Sequence, residues 1–182
     1  VDTAEEIHQK LELAGINLSD DSSCCVATGY GRISVPYADK TVTEITCHAL
    51  GAVHLFQQPD LTVIDIGGQD TKIIQIEQGF VKDFIMNDKC AAGTGRFLEV
   101  MANTLSLHPN KMFDLARLGS DTTISSMCTV FAESEVIGLI GKGEPKENIA
   151  YAVVNSTIRK VAAQVSRMNG EMFTFCLTGG LC

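Results

Sequence analysis

The sequence has no tryptophan and few other aromatics, three tyrosines and eight phenylalanines, so nothing in it suggests a stacking platform for bases or sugars. It lacks a cluster of lysine and arginine. Fourteen basic side chains stand against 22 acidic ones, and the net charge of -8 makes a field that repels phosphate backbones and anionic lipid. Neither nucleic acid nor a membrane is therefore expected as a partner. No apolar stretch approaches the roughly 20 residues of a bilayer span, and no basic, apolar and small-residue succession of a signal peptide opens the chain. A cytoplasmic address is the expectation. A Cys-x-x-Cys pair is missing, and the seven cysteines are odd in number, which fits neither a zinc ribbon nor a secreted disulfide framework. No linker, repeat or low-complexity segment interrupts the chain.

What is present suffices for a packed core. The 182 residues are 45% apolar and 20% charged, the balance of one globular domain or one lobe of a two-lobe fold. Residues 2–14 read as a helix, with Thr3 and Glu6 as a capping box, Ile7, Leu11 and Ala14 on one face and Gly15 as terminator. Residues 24–28 read as a buried strand. Thr43-Glu44 opens a second helix with Ile45, Ala49, Ala52 and Phe56 on one stripe, stopped before Pro59. Strands are predicted over 61–66, 71–76 and 80–86, the last two joined by a Gly-bearing hairpin at 77–79. Helices follow over 94–107 and 109–118, and another starts at Pro145 and closes near Gly170. A strand over 173–178 runs into Gly179-Gly180. Such a turn normally leads to a further helix, so the sequence reads as cut there. The fold class is α/β.

Three segments carry chemistry. In Asp65-Ile66-Gly67-Gly68-Gln69-Asp70-Thr71-Lys72, two glycines let backbone amides approach an anion while the carboxylates and the amide can position magnesium or water. The spacing is neither a Walker A loop nor a dinucleotide fingerprint, and a plain hairpin turn explains it equally well. In Asn87 to Arg96, Cys90 precedes a helix start, where unpaired amides and the helix dipole would favour a thiolate. In Ser125 to Glu135, Cys128 again precedes a helix. Two thiols in one chain do not make a four-thiolate site, but two copies about a dimer axis supply four; buried free cysteines are the other reading.

Tyr30-Gly31-Arg32, Ala38-Asp39-Lys40, the Glu44-Ile45-x-Cys47-His48-Ala49 segment, Val63 to Asp70, Met86 to Glu99 and Cys128 to Ile137 together closely resemble the ATPase activators of 2-hydroxyacyl-CoA dehydratases, a family that includes ATP-binding subunits of benzoyl-CoA reductase. The resemblance implies an actin-like ATPase fold and a homodimer with one bridging 4Fe-4S cluster, for which Cys90 and Cys128 match the ligands. It implies ATP or ADP and Mg2+ as further cofactors. Asp65, Gln69 and Asp70 match catalytic positions, and Gly67, Gly68, Gln69, Asp70 and Lys72 match the second phosphate motif. Thr178-Gly179-Gly180 matches the beginning of the adenosine motif. The implied activity is ATP-driven transfer of one low-potential electron from ferredoxin or flavodoxin to a 2-hydroxyacyl-CoA dehydratase or benzoyl-CoA-reductase-type partner.

Family members begin with a strand and an Asp-x-Gly-Ser-Thr-x-x-Lys phosphate motif, whereas this sequence opens in the helix expected downstream of it; Asp65 to Lys72 resembles that octad, and the Cys90 segment that follows marks it as the second copy. Residues 1–60 are accordingly expected to be a remnant of the first lobe and its connection, and 61–182 the second lobe. Such a chain would bind ATP weakly or not at all. The competing readings are an actin-like-fold small-molecule kinase and a non-catalytic interaction domain with structural cysteines. Cys24, Cys25, Cys47 and Cys176 are expected in the core, Cys182 is an end effect, His48 and Met127 are expected as packing residues, and Lys142 as an exposed turn. Glu133 and Glu135 fall on opposite sides of their helix, one facing the cysteine loop and the other solvent.

Overall fold

The computed structural model describes residues 2–20, 22–126, 128–168 and 174–181. In chain order its elements are α1 (Asp2–Leu13), β1 (Val26–Ala27), β2 (Lys40–Thr41), α2 (Glu44–Phe56), β3 (Leu61–Ile66), β4 (Thr71–Glu77), β5 (Phe80–Asn87), α3 (Gly95–Thr104), α4 (Pro109–Ala116), α5 (Thr129–Gly141), α6 (Lys146–Val165) and β6 (Thr174–Thr178). The main sheet runs β5-β4-β3-β6, antiparallel within the consecutive strands and parallel between β3 and β6. The connection from β4 to β5 is a two-residue hairpin. Gln78 and Gly79 both take positive φ, 53° and 82°, the geometry that matches strand twist.

Strand periodicity sorts the side chains onto two covered faces. Leu61, Val63, Ile74, Ile76 and Cys176 meet Ile45, Ala49 and Ala52 of α2. Ile73, with Ile64, Ile66 and Ile85, meets Val161 and Val165 of α6 and Met168 beyond it. Beyond the sheet, α3, α4, α5 and α6 enclose a second core around Phe97, Met101, Met112, Val136 and Ile149. The sequence pattern of α2 produces its placement directly. Thr43 caps it by accepting from the Thr46 N–H, and its small apolar stripe lets it lie close on the sheet.

Five expectations need correction. Residues 24–28 form no buried strand: β1 is two residues long and pairs with β2 in a separate two-stranded ladder rather than joining the main sheet, so of its two residues only Ala27 is buried. Thr3 lies inside α1, not at its cap. The apolar stripe of α1 is largely exposed, with Ile7 at 48%; the helix is tied down through Tyr37, whose hydroxyl donates to the Ala4 carbonyl and whose ring stacks on His8. The first helix after Cys90 stops at Thr104, three residues short of the expected Leu107, since Ser106 turns left-handed and His108 Nδ1 caps α4 by accepting from the Asn110 N–H. Helix α6 closes at Val165, five residues before Gly170, and Gly170, Phe173, Met127 and Cys182 lie outside the described residues.

Candidate functional site

On the α2 face of the sheet the core becomes polar at one end. The row Leu61, Val63 continues to Asp65, the row Ile76, Ile74 to Lys72, and Cys176 to Thr178; Asp65 is the register partner of both Lys72 and Thr178. From α2, Glu44 and His48, one turn apart, reach these three residues. Lys72 Nζ lies 2.7 Å from Asp70 Oδ1, 3.3 Å from Glu44 Oε1 and 3.7 Å from Asp65 Oδ2. Burial alone would lower the pKa of this ammonium, but the hydrogen bonds and charges of Asp70 and Glu44 outweigh it and the net shift is upward. Lys72 is 7% exposed, so its charge is committed to the carboxylates and not to solvent.

The turn between β3 and β4 projects from this cluster. Gly67 N–H donates to the Asp70 carbonyl at 2.9 Å, while Gly68 and Gln69 are exposed. Helix α3 docks on the turn end-on: Gly95 N–H donates to the Gly67 carbonyl at 2.9 Å and Arg96 N–H to the Gly68 carbonyl at 2.7 Å. Glycine at position 95 eases this approach, since a Cβ there would stand 3.1 Å from Gly68 Cα and the turn would have to give by a few tenths of an ångström. These two amides are therefore not left unpaired for the Cys90 thiol, contrary to the expectation from sequence. The Cys90 loop is fastened at each side. Asn87 Nδ2 donates to the carbonyls of Cys90 and Ala92, Thr94 Oγ1 to Ala91 O, and buried Thr71 Oγ1 to Gly93 O at 2.7 Å. Gly68, Gln69, Cys90, Arg96 and Glu99 share one open cavity of about 550 Å³.

On the opposite side, Gly179 has φ +99°, and a Cβ there would collide with the Ile66 carbonyl and stand 2.8 Å from Asp65 Oδ1. The Gly179-Gly180 turn thus lies directly on the end of β3, and Gly180 lines a cleft of about 300 Å³ with Gly95, Leu98 and Phe113. Cys128 is the exposed N-cap residue of α5. The loop before it is held by Glu135, whose carboxylate accepts from the Ser125 and Ser126 N–H groups and the Ser125 hydroxyl. Burial pushes this carboxyl's pKa up, the donors push it down further, and the net shift is downward. Glu133 accepts instead from Thr104 Oγ1. Ala92 and Gly93 after Cys90, and Ser125 and Ser126 before Cys128, line a common cavity of about 230 Å³, so the two cysteine loops are neighbours.

The residues singled out from sequence thus fall in one region. Gly68, Gln69 and Cys90 line one cavity, Gly67 joins that turn to Asp65 and Asp70, which pair with Lys72, and Gly179 abuts Asp65. Sequence reasoning quoted Glu44 and His48 and placed Thr178 in the adenosine motif, but missed that the three meet Asp65 and Lys72. Their signal was available in the i, i+4 spacing of Glu44 and His48 beside an apolar stripe. His48 is hydrogen-bonded into the cluster and is no mere packing residue. Cys24 and Cys47 are exposed and Cys25 half-buried, not core; Cys47 Sγ lies 3.5 Å from Thr28 Oγ1. Cys176 is buried as expected, and burial pushes its thiol's pKa up. Among the described residues no group of three or more His, Cys, Asp or Glu could hold a metal ion.

Residues 2–182 match the model of the BadF/BadG/BcrA/BcrD ATPase family. The sequence is 46% identical over 183 residues to the (R)-2-hydroxyglutaryl-CoA dehydratase activating ATPase of Acidaminococcus fermentans, covering 98% of this chain and 68% of that protein. The crystal structure of the Acidaminococcus fermentans (R)-2-hydroxyglutaryl-CoA dehydratase component A is similar with a TM-score of 0.80 at 44% identity, again over 98% and 68% of the two chains. The activator of 2-hydroxyisocaproyl-CoA dehydratase from Clostridium difficile with bound ADPNP gives a TM-score of 0.77 at 37% identity, over 96% of this chain and 65% of that one. The chain therefore spans about two thirds of the length of these relatives.

Proposed function

Since the chain belongs to the BadF/BadG/BcrA/BcrD ATPase family and has the actin-like ATPase fold, we propose that the protein carrying it is an ATP-dependent activator of a 2-hydroxyacyl-CoA dehydratase or a related CoA-ester reductase. It receives a low-potential electron from ferredoxin or flavodoxin and works as a homodimer. Residues 61–182 are its second lobe, and residues 1–60 belong to the first lobe and the connection.

The backbone N–H groups of Gly68 and Gln69 hold nucleotide phosphate while Gly67, whose N–H is bonded to the Asp70 carbonyl, shapes the turn, and Gly179 and Gly180 lie against the nucleoside. Asp65, Gln69 and Asp70 would orient an Mg2+ ion carried in by the nucleotide and the attacking water. Lys72 acts through Asp70 and Asp65, keeping three neighbouring carboxylates compatible in a buried place. Cys90 and Cys128 are two free thiols in adjacent loops, one half-buried and one exposed. That donor set is too small for a cluster within one chain and suits half of a four-thiolate site completed by a second copy. When bound, a 4Fe-4S cluster would supply one-electron redox chemistry.

The observation that carries this reading is the end-on docking of α3 on the glycine turn. Through the Gly95 and Arg96 N–H bonds, anything that moves the turn moves the start of α3 and with it the Cys90 loop. Nucleotide binding can shift that unit only by its differential affinity for two arrangements, and a few kcal/mol suffices to repopulate them. The test is direct. Full-length protein prepared without oxygen should be brown, absorb broadly near about 400 nm and hold about four irons per dimer. Cys90→Ser and Cys128→Ser should each abolish the colour. A colourless, iron-free dimer after anaerobic reconstitution would instead favour a kinase or a scaffold.

A further inference from the structure

Asp65 is 5% exposed, so the orientation of its carboxylate is decided by protein partners and not by water. Thr178, its register partner, donates its hydroxyl proton to Asp65 Oδ1 at 3.0 Å. His48 Nε2 lies 2.9 Å from the same hydroxyl oxygen. A hydroxyl has one proton, already given to Asp65, so it accepts from the ring and Nε2 carries a hydrogen. On the other edge of the ring, Nδ1 faces Asp65 Oδ2 at 3.8 Å. One turn earlier on the helix, Glu44 reaches Lys72, the second neighbour of Asp65. Gly179, next after Thr178, packs against the same Asp65 Oδ1.

We propose that His48 is a positioning residue for nucleotide hydrolysis. Through Thr178 it fixes the Asp65 carboxylate and the start of the Gly179-Gly180 turn, so that α2 sets the geometry of the site from behind. The inference rests on the ATPase reading above and deepens it. A packing role would predict otherwise. The His48 side chain is 28% exposed and borders an open cleft of about 480 Å³ with Cys47, Gly51 and Leu55, so replacing it empties no sealed core, whereas losing its donor removes one of the hydrogen bonds that orient the Thr178 hydroxyl on Asp65.

The experiment uses full-length protein, ATP hydrolysis and ADPNP binding. His48→Leu keeps bulk without a donor, and His48→Gln restores an N–H near the Nε2 position. His48→Leu should lower kcat about tenfold, while the ADPNP dissociation constant changes less than about threefold. His48→Gln should recover at least about a third of the wild-type rate. Thr178→Val should reproduce the loss, and the double variant with His48→Leu should be no slower than either alone, the signature of residues acting in series. Equal damage in the Gln and Leu variants, or multiplying losses in the double variant, would overturn the proposal. Should His48→Leu fail to fold, His48→Gln and Thr178→Val decide, a wild-type rate in Thr178→Val refuting the relay. Wild-type protein that hydrolyses ATP while His48→Leu turns over unchanged defeats the positioning role alone. Wild-type protein that neither binds ADPNP nor hydrolyses ATP defeats the ATPase reading and this inference with it.

Discussion

Replacing Glu135 by glutamine should loosen the loop before Cys128 in a pH-dependent way. The carboxylate accepts from the Ser125 N–H and Oγ and the Ser126 N–H at 3.1 to 3.3 Å. Hydrogen bonds to a charged acceptor contribute about 1.5–3 kcal/mol each when shielded. This group is partly exposed, so about 1.5–3 kcal/mol is expected for the whole set. A glutamine amide would turn a donor toward donors. A carboxyl whose pKa falls on folding stabilises above its ordinary range and loses that contribution as pH drops through the folded value. The stability gap between wild type and Glu135→Gln should therefore be full at neutral pH and close below about pH 4. Urea unfolding of the full-length protein at both pH values measures the gap, and amide hydrogen exchange at Ser126 localises it. Equal stability at neutral pH, or a gap that persists unchanged in acid, would refute the reasoning.

Other substitutions test other parts. Lys72→Met removes the counter-charge of three carboxylates and should cost about 3–5 kcal/mol in denaturant titrations. Because the lysine pKa is raised, its contribution is complete below its ordinary titration range and lost only in strongly alkaline buffer, so that cost should be flat from about pH 6 to 9. Gly179→Ala forces a Cβ onto the Ile66 carbonyl at a positive φ and should cost about 2–4 kcal/mol, with ADPNP binding lost in calorimetry. Met101→Ala, at a fully buried position of the helical core, should lower stability by about 2–5 kcal/mol while nucleotide affinity in the folded protein is retained.

Strands and amphipathic helices were legible because their apolar periods are long enough to read. Leu61–Ile66 and α2 fall where alternation and the Ile45, Ala49, Ala52 stripe put them. The α1 and 24–28 segments misled because periodicity reports an apolar face and says nothing of whether a layer exists to cover it. The glycine turn and both cysteine loops were visible as composition. The Glu44, His48 and Thr178 network was not, since it depends on three elements meeting, 130 residues apart between His48 and Thr178, and on sheet parity that carries Asp65 and Lys72 onto the same face as Val63 and Ile74. The docking of α3 was hidden for the same reason: the Gly95 amide meets a carbonyl only once the sheet and helix are assembled.

That shared parity ties the strength of the charges to the dryness of the rows beside them. Ala49 and Ala52 are 1% and 3% exposed, and their small size lets α2 lie close on Leu61, Val63, Ile74 and Ile76, the apolar rows that continue to Asp65 and Lys72. A larger residue at either position would pry α2 from the sheet and let water weaken every Coulomb interaction in the group, so an apolar lesion with no polar atom of its own would read out as an electrostatic defect.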